Sequence, residues 1–535
     1  MLLYAIIFVS GGAILALELL ASRIMTPYFG VSLYIWTGIL SITLISLALG
    51  YWAGGRLAAR QPAGKAGAAR LVQLYAQMPA LAAIAIAGAC LVYPHTFAAL
   101  ANWSLIPGAF AACLVLLFLP LVATSAMNPL LVAIRLRGAG TSGAGDAGAG
   151  KVFFVSTLGS VAGVFVTAFG LIPYISNFAA VLVVSLVLAL LTVAAVTLAP
   201  AHGSKAVAGA LAALALVLAG TLLWNADSYT GRQGPFVYGG TTWRVEAMTS
   251  SLFGTVKVMR SADLGSGRYL RMYFQDGLTQ NTVDSNDRSA SFYTYALEAL
   301  ARVYRPDVHG ALVLGLGAGM VPMRLAETGT AVEVVDIDPV ARRVAEKFFG
   351  FSRRKAVTHE ADARTFLRGC NSAYDVVVVD LFHGDGTPDY LVTREFFRDL
   401  GSCLAEGGVA VFNTFADLDR PASYAHFLVT LRSELPHLAV YRPDAAGGSH
   451  VNSFVVASMR PLPPPAKVTF DDAPAKLQEA LWNMLSAPVA LTPQLFAGGR
   501  IVTDAGNAAA HDYAQMQVGY RRSVVQGIPA GMLMN

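Results

Sequence analysis

Charge is what this chain has least of. Only 13% of its 535 residues are Asp, Glu, Lys or Arg, about half the share usual in a soluble globular protein. That excludes an ordinary soluble enzyme over the full length. A hydrophobic content of 55% equally excludes a disordered chain. Acids are nearly missing from residues 1–224, which hold nine Lys or Arg but only Glu18 and Asp146. The net charge of +5 therefore comes from this part, and the rest of the chain is slightly acidic. No basic patch is interleaved with aromatics, so nucleic acid is not an expected partner. Cysteine is scarce too. Cys90, Cys113, Cys370 and Cys403 are scattered without a C-x-x-C pair, which argues against a disulfide framework or a zinc site. No metal site is expected.

What the first 224 residues do have is long apolar runs. A bilayer-spanning helix needs about 20 mostly apolar residues. Candidate spans are 3–22, 33–55, 71–93, 108–134, 152–173, 178–199 and 206–224. The first has neither a basic leader nor a small-residue cleavage site, so it reads as a span and not a removed signal peptide. Segment 56–70 carries four Lys or Arg, and segment 135–151 carries three in a Gly/Ala-rich stretch; such segments face the cytoplasm. Glu18 lies inside the first span, where a carboxylate is costly. It is either a structural partner, for example of Arg23, or a functional group. Gly50, Gly54, Gly55, Gly159 and Gly163 suit close helix packing.

The span count bears on sidedness. Seven spans with a cytoplasmic N-terminus put the C-terminal part outside. The chemistry argued below uses a cytosolic metabolite. Segment 95–134, without any Lys, Arg, Asp or Glu, reads either as one kinked helix containing Pro107, Pro120 and Pro129 or as two spans. Two spans give eight in all and a cytosolic C-terminal part, and the substrate argument favours that side.

From Asp227 onward the pattern changes. Alternating segments such as TTWRVEAMT, GTVKVMRS and RYLRMYF predict a small β domain over about 236–285. Apolar strands follow at 311–316, 331–338, 356–360, 374–380, 408–415 and 452–458. Helices are expected near 319–328, 339–349 and 393–405. Continuously apolar strands separated by helices predict a parallel, doubly wound α/β sheet. The expected organisation is a helical membrane domain over 1–226, a small β domain over 227–290, a Rossmann-like domain over 291–460 and an extension over 461–535. That extension opens on a Pro-rich linker.

The first of these strands runs into Gly315-Leu316-Gly317-Ala318-Gly319. Glycines there let the backbone approach a ligand at a helix N-terminus. A dinucleotide site wants a further glycine where Met320 stands, so NAD is disfavoured and a nucleoside without pyrophosphate is favoured. Asp336 ends the next strand, in place to bind ribose hydroxyls. Asp362-Ala363 follows the third strand, in place to bind an adenine amino group. Asp380 ends the fourth. Each alone is also an ordinary turn residue. Together, at the carboxyl ends of successive strands, they converge on one crevice.

These residues carry a resemblance. The soluble half resembles the spermidine synthase (aminopropyltransferase) family through FQDGLTQ (274–280), LGLGAGM (314–320), VVDIDP (335–339), EADA (360–363) and YDVVVVDLF (374–382). The first half resembles the N-terminal part of membrane-fused spermidine synthase-like proteins through LELLASRIMTPYFG (17–30) and STLGSVAGVF (156–165). The resemblance implies decarboxylated S-adenosylmethionine as donor, methylthioadenosine as leaving group and an amine as acceptor. It implies Asp380 as the carboxylate at the reaction centre, with Gln280 near the donor and Tyr293 lining the acceptor side. Asp336 and Asp362 become the ribose and adenine contacts. It also implies a multi-pass protein of a bacterial-type cytoplasmic membrane, without a prosthetic group, for which an oligomer is possible.

The chain departs from that family at three points. An acid of the glycine loop is replaced by Ala318. A second acid after strand four is replaced by His383, either a neutral liner or a proton-handling group. The acids after the family tyrosine are replaced by Thr294-Tyr295. Asp385 or Asp389 could supply a substitute charge. The departures keep two other readings open. One is an enzyme using intact S-adenosylmethionine, either a lyase that releases methylthioadenosine or a methyltransferase. The other is a transporter or sensor with a nucleoside-binding domain.

Overall fold

The computed structural model describes the chain except for residues 1, 32, 139–144, 199–204, 371–372, 383, 444–449, 471–472 and 508. The chain forms two compact units, Met1–Phe236 together with Val525–Asn535, and Val237–Val524.

The first unit is helical. Among the described residues, seven helices are long and apolar enough to cross a membrane: Leu2–Phe29, Leu33–Ala59, Lys65–Trp103, Leu105–Arg137, Gly148–Leu171, Asn177–Thr197 and Lys205–Trp224. The stretch 95–134 is neither one kinked helix nor a tight pair of spans. It is cut at Ser104, whose extended backbone ends one helix, and Pro107 sits in the first turn of the next, where a missing N–H does no harm. Pro129 is carried inside that second helix.

Close packing accounts for Gly50, Gly54, Gly159 and Gly163. A Cβ at Gly54 would collide with the Ala126 carbonyl, one at Gly159 with the Phe8 carbonyl, and one at Gly163 with Gly12. Gly50 is equally tight against Ser125. Gly55 is not a packing position, because nothing lies within 4 Å of its missing side chain. Residues 525–535 return to this unit. Asn535 donates its side-chain amide to the Arg23 carbonyl (2.9 Å), and its own carbonyl accepts the Phe178 N–H (3.1 Å).

The second unit holds two sheets. The smaller is an antiparallel meander in the order β1-β2-β3-β4-β5: Phe236–Tyr238, Thr241–Ser251, Gly254–Ser261, Leu270–Gln275 and Leu278–Asp284. The larger has the order β11-β12-β10-β9-β6-β7-β8. Its strands are β6 (Gly310–Leu314), β7 (Ala331–Asp336), β8 (Ala356–Glu360), β9 (Tyr374–Val379), β10 (Leu404–Asp417), β11 (His437–Tyr441) and β12 (His450–Ser458).

The larger sheet is mixed, and the expectation of an all-parallel sheet is corrected. β6 to β10 pair in parallel, but β12 runs antiparallel to β10 and to β11. Apolar content alone does not reveal strand direction, and doubly wound folds commonly carry an antiparallel edge. Val376, Val377 and Val378 on β9 are wholly buried, each worth about 1.5–3 kcal/mol relative to exposure. Helices Phe292–Tyr304 and Met320–Glu327 pack on one face of the sheet. Ala363–Arg368, Arg394–Ser402 and Ala422–Glu434 pack on the other. Cys370 and Cys403 are brought together on one face of the sheet, a single pair and not a disulfide framework. Two cysteines 33 residues apart give no spacing signal.

Candidate functional site

The carboxyl ends of β6, β7, β8 and β9 open into a cavity of about 360 Å³. Gly315 follows β6. Its φ of 96° belongs to glycine, and a Cβ there would strike the Asp380 carbonyl. The bare backbone thus lets the ends of β6 and β9 close on each other. Gly319, with φ 79°, leaves no room for a Cβ beside Phe351 (2.7 Å) and starts the helix Met320–Glu327.

Of the sequence candidates, Gln280, Tyr293, Gly315, Gly317, Asp336, Asp362, Ala363 and Asp380 all line this cavity. Asp336 accepts the Leu316 N–H through Oδ2 and the Asp338 N–H through Oδ1, each at 2.8 Å. It therefore organises the glycine loop as well as facing the cavity. Asp362 caps the helix Ala363–Arg368 by accepting the Thr365 N–H (2.8 Å), and its other oxygen accepts the Tyr390 hydroxyl (3.0 Å). Burial pushes the carboxyls of Asp336 and Asp380 up to about 6. Asp380 accepts one hydrogen bond, from the Asn413 amide to Oδ1 (2.8 Å). Burial and the neighbouring Asp380 raise the Tyr293 phenol, so it remains a hydrogen-bond donor at neutral pH.

A second pocket, of about 160 Å³, shares Gln280, Tyr293, Asp380 and Phe382 with the first and continues past Thr279, Asn413, Asn452 and Tyr520. Asp380 thus stands where two compartments meet.

Other candidates fall elsewhere. His383 lies outside the described residues. Glu18 is half-buried on the helix Leu2–Phe29. Ala318 does not line the cavity; its methyl packs among Val256, Val258 and Tyr273. Neither Asp385 nor Asp389 supplies a free charge to the cavity. Asp385 is sealed in an ion pair with Arg521, and Asp389 accepts the Asn507 amide (2.8 Å).

Sequence reasoning missed Tyr390, Asn413, Asn452, Tyr520 and Arg521. Asn413 had a signal, being a lone amide in the apolar run GVAVFNTF. Tyr520 and Arg521 had none, because the helix Ala510–Val525 that carries them follows a long irregular segment.

A mixed Rossmann-like sheet, a glycine loop and strand-end acids around one cavity define a Rossmann-like α/β domain preceded by a small β domain. Residues 291–424 match the family described as the spermine/spermidine synthase domain, and the chain carries a spermidine synthase-like domain. A polyamine aminopropyltransferase of Vibrio vulnificus is 29% identical over 182 residues, 33% of this chain and 60% of that protein. An N-terminal histidine N-methyltransferase of Emericella nidulans is 34% identical over 141 residues, 25% of each chain. Among solved structures, a probable spermidine synthase from Corynebacterium glutamicum aligns with TM-score 0.40 and 18% identity, covering 49% of this chain and 97% of that one. The chain spans about three fifths of the Vibrio relative's length.

Proposed function

We propose that the protein is an aminopropyltransferase-like enzyme, which binds decarboxylated S-adenosylmethionine in the large cavity and an amine in the second pocket. The observation that carries this reading is the charge of the cavity wall. Asp336, Asp338, Asp362 and Asp380 line it, and no Arg, Lys or His does among the described residues. A donor bearing a sulfonium and an ammonium is matched by such a wall. A donor that keeps its carboxylate finds no cation there.

In this reading Asp336 holds the ribose, Asp362 and Ala363 border the adenine, and the aminopropyl arm points to Gln280, Tyr293 and Asp380. The acceptor nitrogen's lone pair attacks the arm carbon next to sulfur. The carbon–sulfur bond breaks with its electron pair moving to sulfur, which neutralises the sulfonium and releases methylthioadenosine. The nitrogen's proton passes to Asp380. Asn413 holds one oxygen of Asp380, leaving Oδ2 to receive it. Purified protein given decarboxylated S-adenosylmethionine and a mixture of amines is expected to form methylthioadenosine and an aminopropylated amine in equal amounts. Methylthioadenosine formed without a new amine product would replace transfer by lyase chemistry.

We further propose that the seven apolar helices span a lipid bilayer. Their outer surfaces carry Leu44 (66% exposed), Phe154 (67%) and Phe165 (60%), which water disfavours. The cytosolic origin of the donor puts the catalytic half in the cytosol. With seven spans this places segments 56–70 and 135–151 outside, against the usual distribution of Lys and Arg. A single cysteine at Ser266, an exposed turn residue, tests the side. It should resist a membrane-impermeant maleimide in intact cells and react after lysis. Labelling in intact cells would put the catalytic half outside, as the charge pattern requires.

A further inference from the structure

The second pocket has a composition that the proposed transfer chemistry does not require. Its wall is built from neutral hydrogen-bonding groups, including Thr279, Ser291, Asn413 and Asn452, and among the described residues Asp380 is its only charged group. Two other acids lie next to its lining residues, and both are occupied. Asp385 follows Gly384 on the pocket wall, yet it is 1% exposed and ion-paired with Arg521, itself 0% exposed. Arg521 also donates to the Asp276 carbonyl (2.8 Å), which fixes it in that position. Asp417 faces His450 at 3.3 Å and accepts the backbone N–H groups of Asp419 and Arg420. The aromatic wall is occupied as well, because the rings of Phe415 and Tyr520 lie against each other with centroids 4.5 Å apart.

A diamine acceptor carries a second ammonium at the end away from the reacting nitrogen. In this pocket that ammonium would leave water without meeting a carboxylate, and an unpaired buried charge is strongly disfavoured. An amine whose far end is a hydroxyl or amide would instead pair with the amide and hydroxyl groups present. Resting on the transfer reading above, we propose that the second pocket selects a monoamine with an uncharged, hydrogen-bonding body and rejects diamines. The helix Ala510–Val525 enforces that choice by supplying the Tyr520 wall and by sealing Asp385 with Arg521.

A matched pair of acceptors tests this on the full-length protein with decarboxylated S-adenosylmethionine. 4-Amino-1-butanol and 1,4-diaminobutane differ only in the far group. The wild type is expected to favour the amino alcohol by about tenfold or more in kcat/KM, as expected where one far-end charge is left unpaired. Asn452→Asp sets a carboxylate on the wall with almost no change of shape and should move that ratio about tenfold toward the diamine. Arg521→Gln, which releases Asp385, should move it in the same direction. A wild type that prefers the diamine, or an Asn452→Asp variant that folds, binds methylthioadenosine and leaves the ratio unmoved, overturns the proposal. Should either variant fail to fold, the wild-type ratio still decides. If neither amine raises methylthioadenosine release above the amine-free level, the transfer reading itself falls, and the acceptor class with it.

Discussion

The two compartments that meet at Asp380 are built on different principles. The large cavity is assembled from strand ends and a glycine loop, and four carboxylates line it. The second pocket is assembled mainly from β5, β10, β12 and the helix Ala510–Val525, and among the described residues its wall is neutral apart from Asp380. The first is complementary to a cation and is held by local backbone geometry. The second, on the proposal above, suits an uncharged polar group, and it is held by contacts between distant segments. On the reading proposed above, a nucleoside site is kept while the pocket beside it takes another partner. A resemblance read from strand-end motifs speaks only for the first.

The sharpest way to break this comparison is at the shared group. Asp380→Asn should lower turnover by about 10²–10⁴ while methylthioadenosine binding changes little, because the base is lost and the donor contacts are kept. Calorimetry beside product assays would separate the two, and a variant that loses binding would move Asp380 wholly to the donor side.

Below about pH 6 the wild type should lose kcat by about tenfold per pH unit, since a general base acts only when ionised. Its carboxyl is raised, so the active form is the one present above that value. The Asn variant should lack this limb of the profile.

Donor binding tests the other side alone. Asp336→Ala should weaken methylthioadenosine binding by at least about tenfold, through lost ribose bonds of about 1.5–3 kcal/mol each and through the Leu316 and Asp338 N–H groups it leaves unpaired. Unchanged affinity by calorimetry would remove Asp336 from the site. Tyr390→Phe is the mildest change. Freeing the Asp362 oxygen that now accepts the tyrosine hydroxyl should tighten donor binding by about threefold, within the range of one neutral hydrogen bond. Weaker binding would make Tyr390 a donor contact instead.

How far the sequence could be read follows the same division. Gly315, Asp336, Asp362 and Asp380 were legible because each sits at a fixed offset from an apolar strand, and chain order reproduces their place at the sheet's edge. The seven apolar helices were legible from length and hydropathy, although the break at Ser104 was not, since one polar residue in an apolar stretch carries little weight. β11 is short and bordered by charged segments, so its pattern does not rise above a loop. The antiparallel run of β12 depends on pairing with β10, which periodicity does not encode. Arg521 lies 136 positions from Asp385 and 245 from Asp276. No spacing rule joins residues that only the folded chain brings together. Ala318 stands where the family's glycine loop has an acid; it does not line the cavity, and its methyl belongs to the buried cluster with Val256, Val258 and Tyr273.

The proposed reaction places a cationic donor on one side of Asp380 and an amine on the other. Its most direct test is a single-turnover comparison of intact and decarboxylated S-adenosylmethionine, each with and without 4-amino-1-butanol, following methylthioadenosine. Release is expected only from the decarboxylated donor and only when the amine is present. Release from intact S-adenosylmethionine without any amine would contradict it and would make the protein a lyase.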